Sequence, residues 1–335
     1  MPRIAVLGAG VIGLSTAVSI RKSLPSASIV IIADKFGSET TSYGAGGLSI
    51  PTVDKVPGVP KDLVRRWVSD SWKWFSDLTL SDLASTTGNQ LAPGYFLCNT
   101  PLIDPLFAEY VYSYERMSDE ELKKINMQAK YKYGYRVTSI ITCLKKYLPW
   151  LTKLHLDGGG IIEGRKIENL NELVGTYDVV VNCTGLGSRK LLNDGKIHSN
   201  RGQIIELHAD WIKYWIYTDD GAYLLPYDDI VKIGGVRQMH NYNIEVDEND
   251  QREIKEKCYR LWPPLQGADI VKEWVGLRPT RTPLRLEAEL IKFPTGKLKV
   301  VHNYGHGGVG IAISWGTSLH AAKLVKDILQ SESRL

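Results

Sequence analysis

Cysteine is scarce: Cys98, Cys143, Cys183 and Cys258 are the only four in 335 residues, and they are widely scattered. That spacing argues against a structural zinc and suits reduced thiols in an intracellular compartment. Charge of one sign is also in short supply. Forty-one Lys and Arg against 37 Asp and Glu leave a formal +4, with no Lys/Arg block, so nucleic acid is not an expected partner. Mild basicity can still draw an anionic substrate. Repeats, low-complexity tracts and long disordered linkers are missing as well. His302 and His306 are four apart, but they stand in "VHNYGHGGVG", where the glycines oppose the helix that such a ligand pair would need. Structural histidines are the expectation, and no metal is expected.

What the chain does have is apolar mass. Its 335 residues and 43% hydrophobic content suffice for a large core and two domains. A charge-free stretch, "IAVLGAGVIGLSTAVSI" at residues 4–20, lies between Arg3 and Arg21. A basic residue before an apolar run can open a signal peptide. The glycines point elsewhere. Gly8, Gly10 and Gly13 form G-x-G-x-x-G directly after the β-rich "RIAVL", and Leu14 to Ile20 continue as a helix. The first glycine permits a tight turn, the second admits a pyrophosphate to the helix N-terminus, and the third lets helix pack on strand. A second apolar strand, "SIVIIAD", ends at Asp34, where a carboxylate can accept hydrogen bonds from a ribose. A targeting segment would have no use for it.

Nucleotide-binding features return twice more. A helix is expected at "ITCLKKYLPWLTKL", followed by the apolar strand and glycine turn of "YDVVVNCTGLGS". "GQIIEL", "AYLLPY" and "IVKIGGV" read as antiparallel strands of a second domain, and residues 51–140 are rich in Trp, Tyr and Pro. The end of the chain repeats strand, glycine loop and amphipathic helix in "LKVVHNYGHGGVGIAISWG" and "TSLHAAKLVKDIL".

The ordered blocks "GAGVIGLSTA", "ADKF", "TTSYGAGGL", "VVNCTGLGSR", "RGQ", "GLRPTR" and "HNYGHGGVG" resemble the D-amino-acid oxidase and D-aspartate oxidase family of FAD-dependent peroxisomal enzymes along essentially the whole chain. The resemblance implies an α/β protein: a Rossmann-like FAD-binding domain (1–50, 141–195 and 286–335) interleaved with an antiparallel-sheet substrate domain (51–140 and 196–285). It implies FAD as cofactor, held by Gly8, Gly10, Val11, Ile12 and Gly13, with Asp34 on the adenosine ribose. Lys35, Thr40, Thr41 and Ser42 would contact phosphate or ribose, Gly47 and Leu48 would border the flavin, and Ile167, Thr184 and Gly185 would complete the cradle. The loop Gly307, Gly308, Val309, Gly310, Ile311 and Ala312 would wrap the flavin pyrimidine with backbone N–H groups. Ala312 stands where the D-amino-acid oxidase branch often has a hydroxyl, so no side-chain bond to flavin O2 is expected there.

By the same resemblance Arg278 binds the substrate α-carboxylate, Tyr223 is its phenolic partner, and the Gly308 carbonyl receives the amine. The resemblance implies a mechanism without a general base, in which a substrate bound as the neutral amine would give its α-hydrogen as hydride to flavin N5, O2 would reoxidise the flavin to yield hydrogen peroxide, and the imino acid would hydrolyse to 2-oxo acid and ammonia. Arg237 in "IGGVRQ" resembles the acidic-substrate branch. A buried Arg237 would select a second carboxylate, as in D-aspartate, D-glutamate or N-methyl-D-aspartate. Oxidation of neutral or basic D-amino acids, or flavin binding without turnover, are the alternatives. Ser333-Arg334-Leu335 is a variant of the S-K-L peroxisomal address, read by an import receptor. No membrane insertion is expected, and the oligomeric state is not legible.

Overall fold

Strand β1 (Arg3–Leu7) is flanked on both sides by parallel partners, β2 (Ser28–Ala33) and β7 (Val179–Asn182), which accounts for its unbroken apolar run. Between β1 and β2 runs helix α1 (Val11–Ser23), whose residues Gly13 to Ile20 are all buried. The charge-free stretch is therefore a central strand and a helix enclosed by its neighbours. The computed structural model describes residues 1–51, 55–103, 105–125 and 131–330; the C-terminal Ser-Arg-Leu lies outside them.

The other strands are β3 (Asn89–Cys98), β4 (Ser113–Arg116), β5 (Tyr133–Thr142), β6 (Ile161–Gly164), β8 (His198–His208), β9 (Trp215–Thr218), β10 (Tyr223–Pro226), β11 (Ile230–Gly234), β12 (Gln238–Met239), β13 (Asp269–Phe293) and β14 (Gly296–His306). Among the described residues they form one sheet, in the order β4-β5-β3-β9-β10-β11-β8-β13-β14-β7-β1-β2-β6, with β12 paired to β8. One end, β14-β7-β1-β2-β6, is parallel; in the other, β9, β10, β11, β8, β13 and β14 run antiparallel in turn. The three expected strands of the second half are β8, β10 and β11, and their pairing is antiparallel. Strand β14 joins the two regimes, parallel to β7 through Val300–His302 and antiparallel to β13.

Helices α2 (Lys61–Thr79), α3 (Ala84–Thr87), α4 (Asp119–Ile125), α5 (Leu144–Asp157), α6 (Ser188–Leu191), α7 (Glu248–Leu261) and α8 (Ser314–Gln330) complete the framework. One core lies where α1, α5 and α8 meet the parallel strands; another lies between α7 and the sheet of β8, β10 and β11. The tryptophan-rich segment 51–140 contributes α2, which buries Val64, Trp67, Val68, Ser71, Phe75 and Leu78 at helical spacing. It approaches α8 so closely that a Cβ on Gly316 would come 2.2 Å from the Trp67 carbonyl oxygen. The two histidines of the last strand are buried: His302 faces Glu289 at 3.1 Å, and His306 shares a hydrogen bond with the Thr317 hydroxyl at 3.2 Å. No helix among the described residues is long and apolar enough to cross a membrane.

Candidate active site

The carboxyl ends of the parallel strands open into one cavity of about 1010 Å³, at the upper end of the roughly 300–1,000 Å³ of small-molecule sites. The glycines of β1 and α1 shape its floor. Gly8 has φ +103° and a Cβ there would lie 2.7 Å from the Cys183 carbonyl oxygen, so only glycine lets the β1 and β7 ends close together. A Cβ on Gly13 would sit 1.9 Å from the Gly8 carbonyl oxygen, which makes Gly13 the contact between helix and strand. Gly10 is the N-cap of α1, and the following Val11 amide donates to the Ser42 hydroxyl at 3.0 Å. Polar N–H groups at a helix N-terminus beside a cavity form an anion site.

Every residue expected to hold the cofactor lines this cavity except Gly13, which lies beneath it: Asp34, Lys35, Thr40, Thr41, Ser42, Gly47, Leu48, Ile167, Thr184, Gly185 and the loop 307–312. Their hydroxyls differ in availability. Thr40 donates into its own turn, to Gly37, and Thr41 donates to the Leu277 carbonyl across the cavity wall at 3.1 Å. The loop Gly44–Leu48 is pressed against its surroundings, since a Cβ on Gly44 would overlap the Trp274 ring at 2.4 Å and one on Gly47 would meet the Thr142 carbonyl oxygen at 2.0 Å. Such a cradle has room for a flat, extended, anionic group and none for extra side chains.

Tyr223, Arg278 and Gly308 meet at the other end of the same cavity. Arg278, on β13, passes over Gly202 of β8, where any Cβ would strike its guanidinium at 2.3 Å. Its hydrogen bonds go to the carbonyls of Arg201 and Val236 at 3.4 and 3.3 Å, and no carboxylate pairs with it among the described residues. Burial lowers its pKa, and so does Arg237, while Tyr223 works in the opposite direction. The Gly308 backbone is close by, with its Cβ position 3.8 Å from Arg278 Cδ. Tyr223 lies on Gly234 and Gly235, whose Cβ positions would be 2.4 and 2.6 Å from its ring, so the "IGGV" glycines make space for a phenol. Burial pushes that phenol up to about 12, keeping it a protonated donor at neutral pH.

Arg237 corrects an expectation. It lines the cavity, but its side chain is exposed rather than buried, and it donates to the Tyr217 hydroxyl at 2.6 Å. The reason is its place: it lies in the short link between β11 and β12, where Val236 turns into the core and the next side chain falls on the open side. Tyr217 and Lys55 also line the cavity, with the Lys55 ammonium 5.4 Å from the Tyr217 ring centroid. Sequence reading missed both, because neither falls in a motif; only the parallel pairing of β3 with β9 and the return of residue 55 bring them to the mouth.

A glycine-shaped dinucleotide cradle continuous with a half-buried phenol and an arginine that no carboxylate pairs among the described residues is the arrangement of a nucleotide-dependent enzyme with a site for a small anion. The chain belongs to the FAD dependent oxidoreductase family, whose sequence pattern it matches over residues 3–324, and its cofactor is FAD. It is 40% identical to human D-aspartate oxidase over 332 residues, covering 98% of this chain and 96% of that protein. It is 35% identical to a D-amino acid oxidase of Dugesia ryukyuensis, covering 97% and 98%, and 31% identical to D-aspartate oxidase 1 of Caenorhabditis elegans, covering 98% of each. Among solved structures, glycine oxidase from Bacillus cereus superposes with a TM-score of 0.75 at 18% identity, covering 98% and 96%. FAD-bound L-alpha-glycerophosphate oxidase from Mycoplasma pneumoniae gives 0.75 at 13%, covering 97% and 95%. These two likenesses show the fold.

Proposed function

We propose that this protein oxidises acidic D-amino acids, D-aspartate foremost, to the 2-oxo acid, ammonia and hydrogen peroxide. The observation that carries the reading is a pair of guanidiniums, Arg278 and Arg237, lining one cavity with no carboxylate partner among the described residues. A substrate with two carboxylates supplies what both lack. The full-length similarity to proteins named D-aspartate oxidase supports the same choice.

In this reading Arg278 holds the α-carboxylate through two parallel N–H···O bonds, and the Tyr223 phenol donates a third. The Gly308 carbonyl accepts from the substrate amine, and Arg237 at the mouth takes the side-chain carboxylate. Bound FAD supplies the hydride acceptor at N5. No side chain is assigned as general base; holding the α-hydrogen in line is the protein's contribution. We assign 1–50, 141–195 and 286–335 to FAD binding and 51–140 and 196–285 to substrate binding, as the parallel and antiparallel ends of the sheet suggest. We further assign the enzyme to peroxisomes through Ser333-Arg334-Leu335, which a fluorescent fusion with and without the tripeptide tests.

The deciding experiment is a peroxide-coupled assay over D- and L-amino acids with wild type and Arg237→Leu. The variant is expected to lose roughly ten- to hundredfold in kcat/KM on D-aspartate, the about 1.5–3 kcal/mol of a charged hydrogen bond. Activity on D-alanine should be retained. Equal loss on both substrates, or preference for neutral D-amino acids in the wild type, overturns the acidic-substrate reading.

A further inference from the structure

Behind one wall of the cavity lies a lysine that substrate binding does not use. Gly44, Ala45, Gly46, Gly47 and Leu48 line the cavity; Lys232 and Tyr227 do not, and they lie on the far side of this loop. Lys232 is 1% exposed. Its ammonium donates to the Ala45 carbonyl at 3.2 Å and the Gly44 carbonyl at 3.5 Å, and it stands 4.9 Å from the centre of the Tyr227 ring. The Tyr227 hydroxyl donates to the next carbonyl, that of Gly46, at 2.5 Å. Three successive carbonyls are thus tied back. In a trans peptide the following N–H points the opposite way, so the amides of Gly46 and Gly47 turn away from Lys232 and Tyr227.

Strand register explains the placement. Glu206, Lys232 and Leu225 are direct neighbours across β8, β11 and β10, and so share one face. The Glu206 carboxylate is paired with Lys145 at 2.8 Å. Lys232 stands across the strand pair from that carboxylate, which opposes the lowering of its pKa to about 8 by burial, so the group behind the loop is cationic at neutral pH. A buried ammonium held by carbonyls is an expensive way to fill space, because taking the charge out of water costs free energy that an apolar side chain does not.

We propose that Lys232 is a positioning residue for the cofactor. It fixes the amides of Gly46 and Gly47 at the cavity wall and maintains a positive field behind them that favours FAD when it gains negative charge. The inference depends on FAD occupying this cavity and not on which amino acid is oxidised. Lys232→Gln, which keeps a donor but removes the charge, and Lys232→Met, which removes both, separate the two effects. In FAD-loaded protein both variants are expected to lower the flavin midpoint potential by at least about 30 mV, a tenfold change in a two-electron equilibrium. Lys232→Met should in addition weaken FAD binding to the apoprotein about tenfold, read by flavin fluorescence. Wild-type midpoints in both variants overturn the proposal. So does a Lys232→Met protein that melts lower yet binds FAD with wild-type affinity, for then the lysine only supports the fold. Should Lys232→Met not fold, the Lys232→Gln midpoint decides.

Discussion

The rings of Tyr217 and Tyr223 stack with centroids 5.9 Å apart and planes 5° from parallel. Through this pair the two arginines of the cavity are linked: Tyr217 accepts from Arg237, Tyr223 lies beside Arg278, and Arg278 donates to the carbonyl of Val236, the residue before Arg237.

Removing one hydroxyl tests that link. Tyr217→Phe keeps the stack and frees the Arg237 guanidinium, at a cost of about 1 kcal/mol, or roughly fivefold. The expected result in a peroxide-coupled assay is a KM for D-aspartate raised about fivefold with kcat little changed, and D-alanine kinetics unaltered. A parallel change on both substrates would show that Tyr217 supports the cavity as a whole.

Arg278→Ala should abolish turnover of every substrate, whereas Tyr223→Phe should be milder. A charge-assisted pair is worth about 2–5 kcal/mol when truncated, against about 1 kcal/mol for a neutral hydrogen bond. Steady-state kcat/KM on FAD-loaded, folded variants checks this, and similar losses from the two substitutions would contradict the assignment.

Gly13→Ala places a methyl group 1.9 Å from the Gly8 carbonyl oxygen, backbone against backbone, so α1 must shift off β1. Loss of bound FAD and a lowered melting temperature are expected. Gly164→Ala, where a Cβ would meet nothing within 4 Å, is the control and should retain flavin absorbance.

Acid should destabilise the protein partly through its last strand. Burial lowers His306 to about 3 and His302 to about 4. Because these folded values lie below the unfolded value of about 6.5, the unfolded chain binds more protons between them, so stability is full above pH 6.5 and falls as pH drops towards 3. For His306 alone the loss at pH 5 is about 2 kcal/mol. Urea unfolding at pH 7.5 and pH 5 should therefore show a smaller pH effect in His306→Gln than in wild type. An unchanged difference would mean that His306 does not stay neutral in the fold.

The sequence alone determined the parallel strands β1, β2 and β7, helix α1 and the glycine turns between them, because period, apolar runs and the absence of a Cβ act over a few residues. It also held much of the cavity, from Asp34 to the loop at 307–312, since most of those residues sit in local motifs. Only the tertiary structure decided what the scattered segments do to one another. It put Arg237 in the link between β11 and β12 with its charge exposed, brought Tyr217 and Lys55 to the cavity mouth, and buried Lys232 behind Gly44–Gly46. Those placements follow from the register of β8, β11 and β10 and from chain returns across more than a hundred residues, and a polar side chain carries no local mark of which partner such a register will set against it.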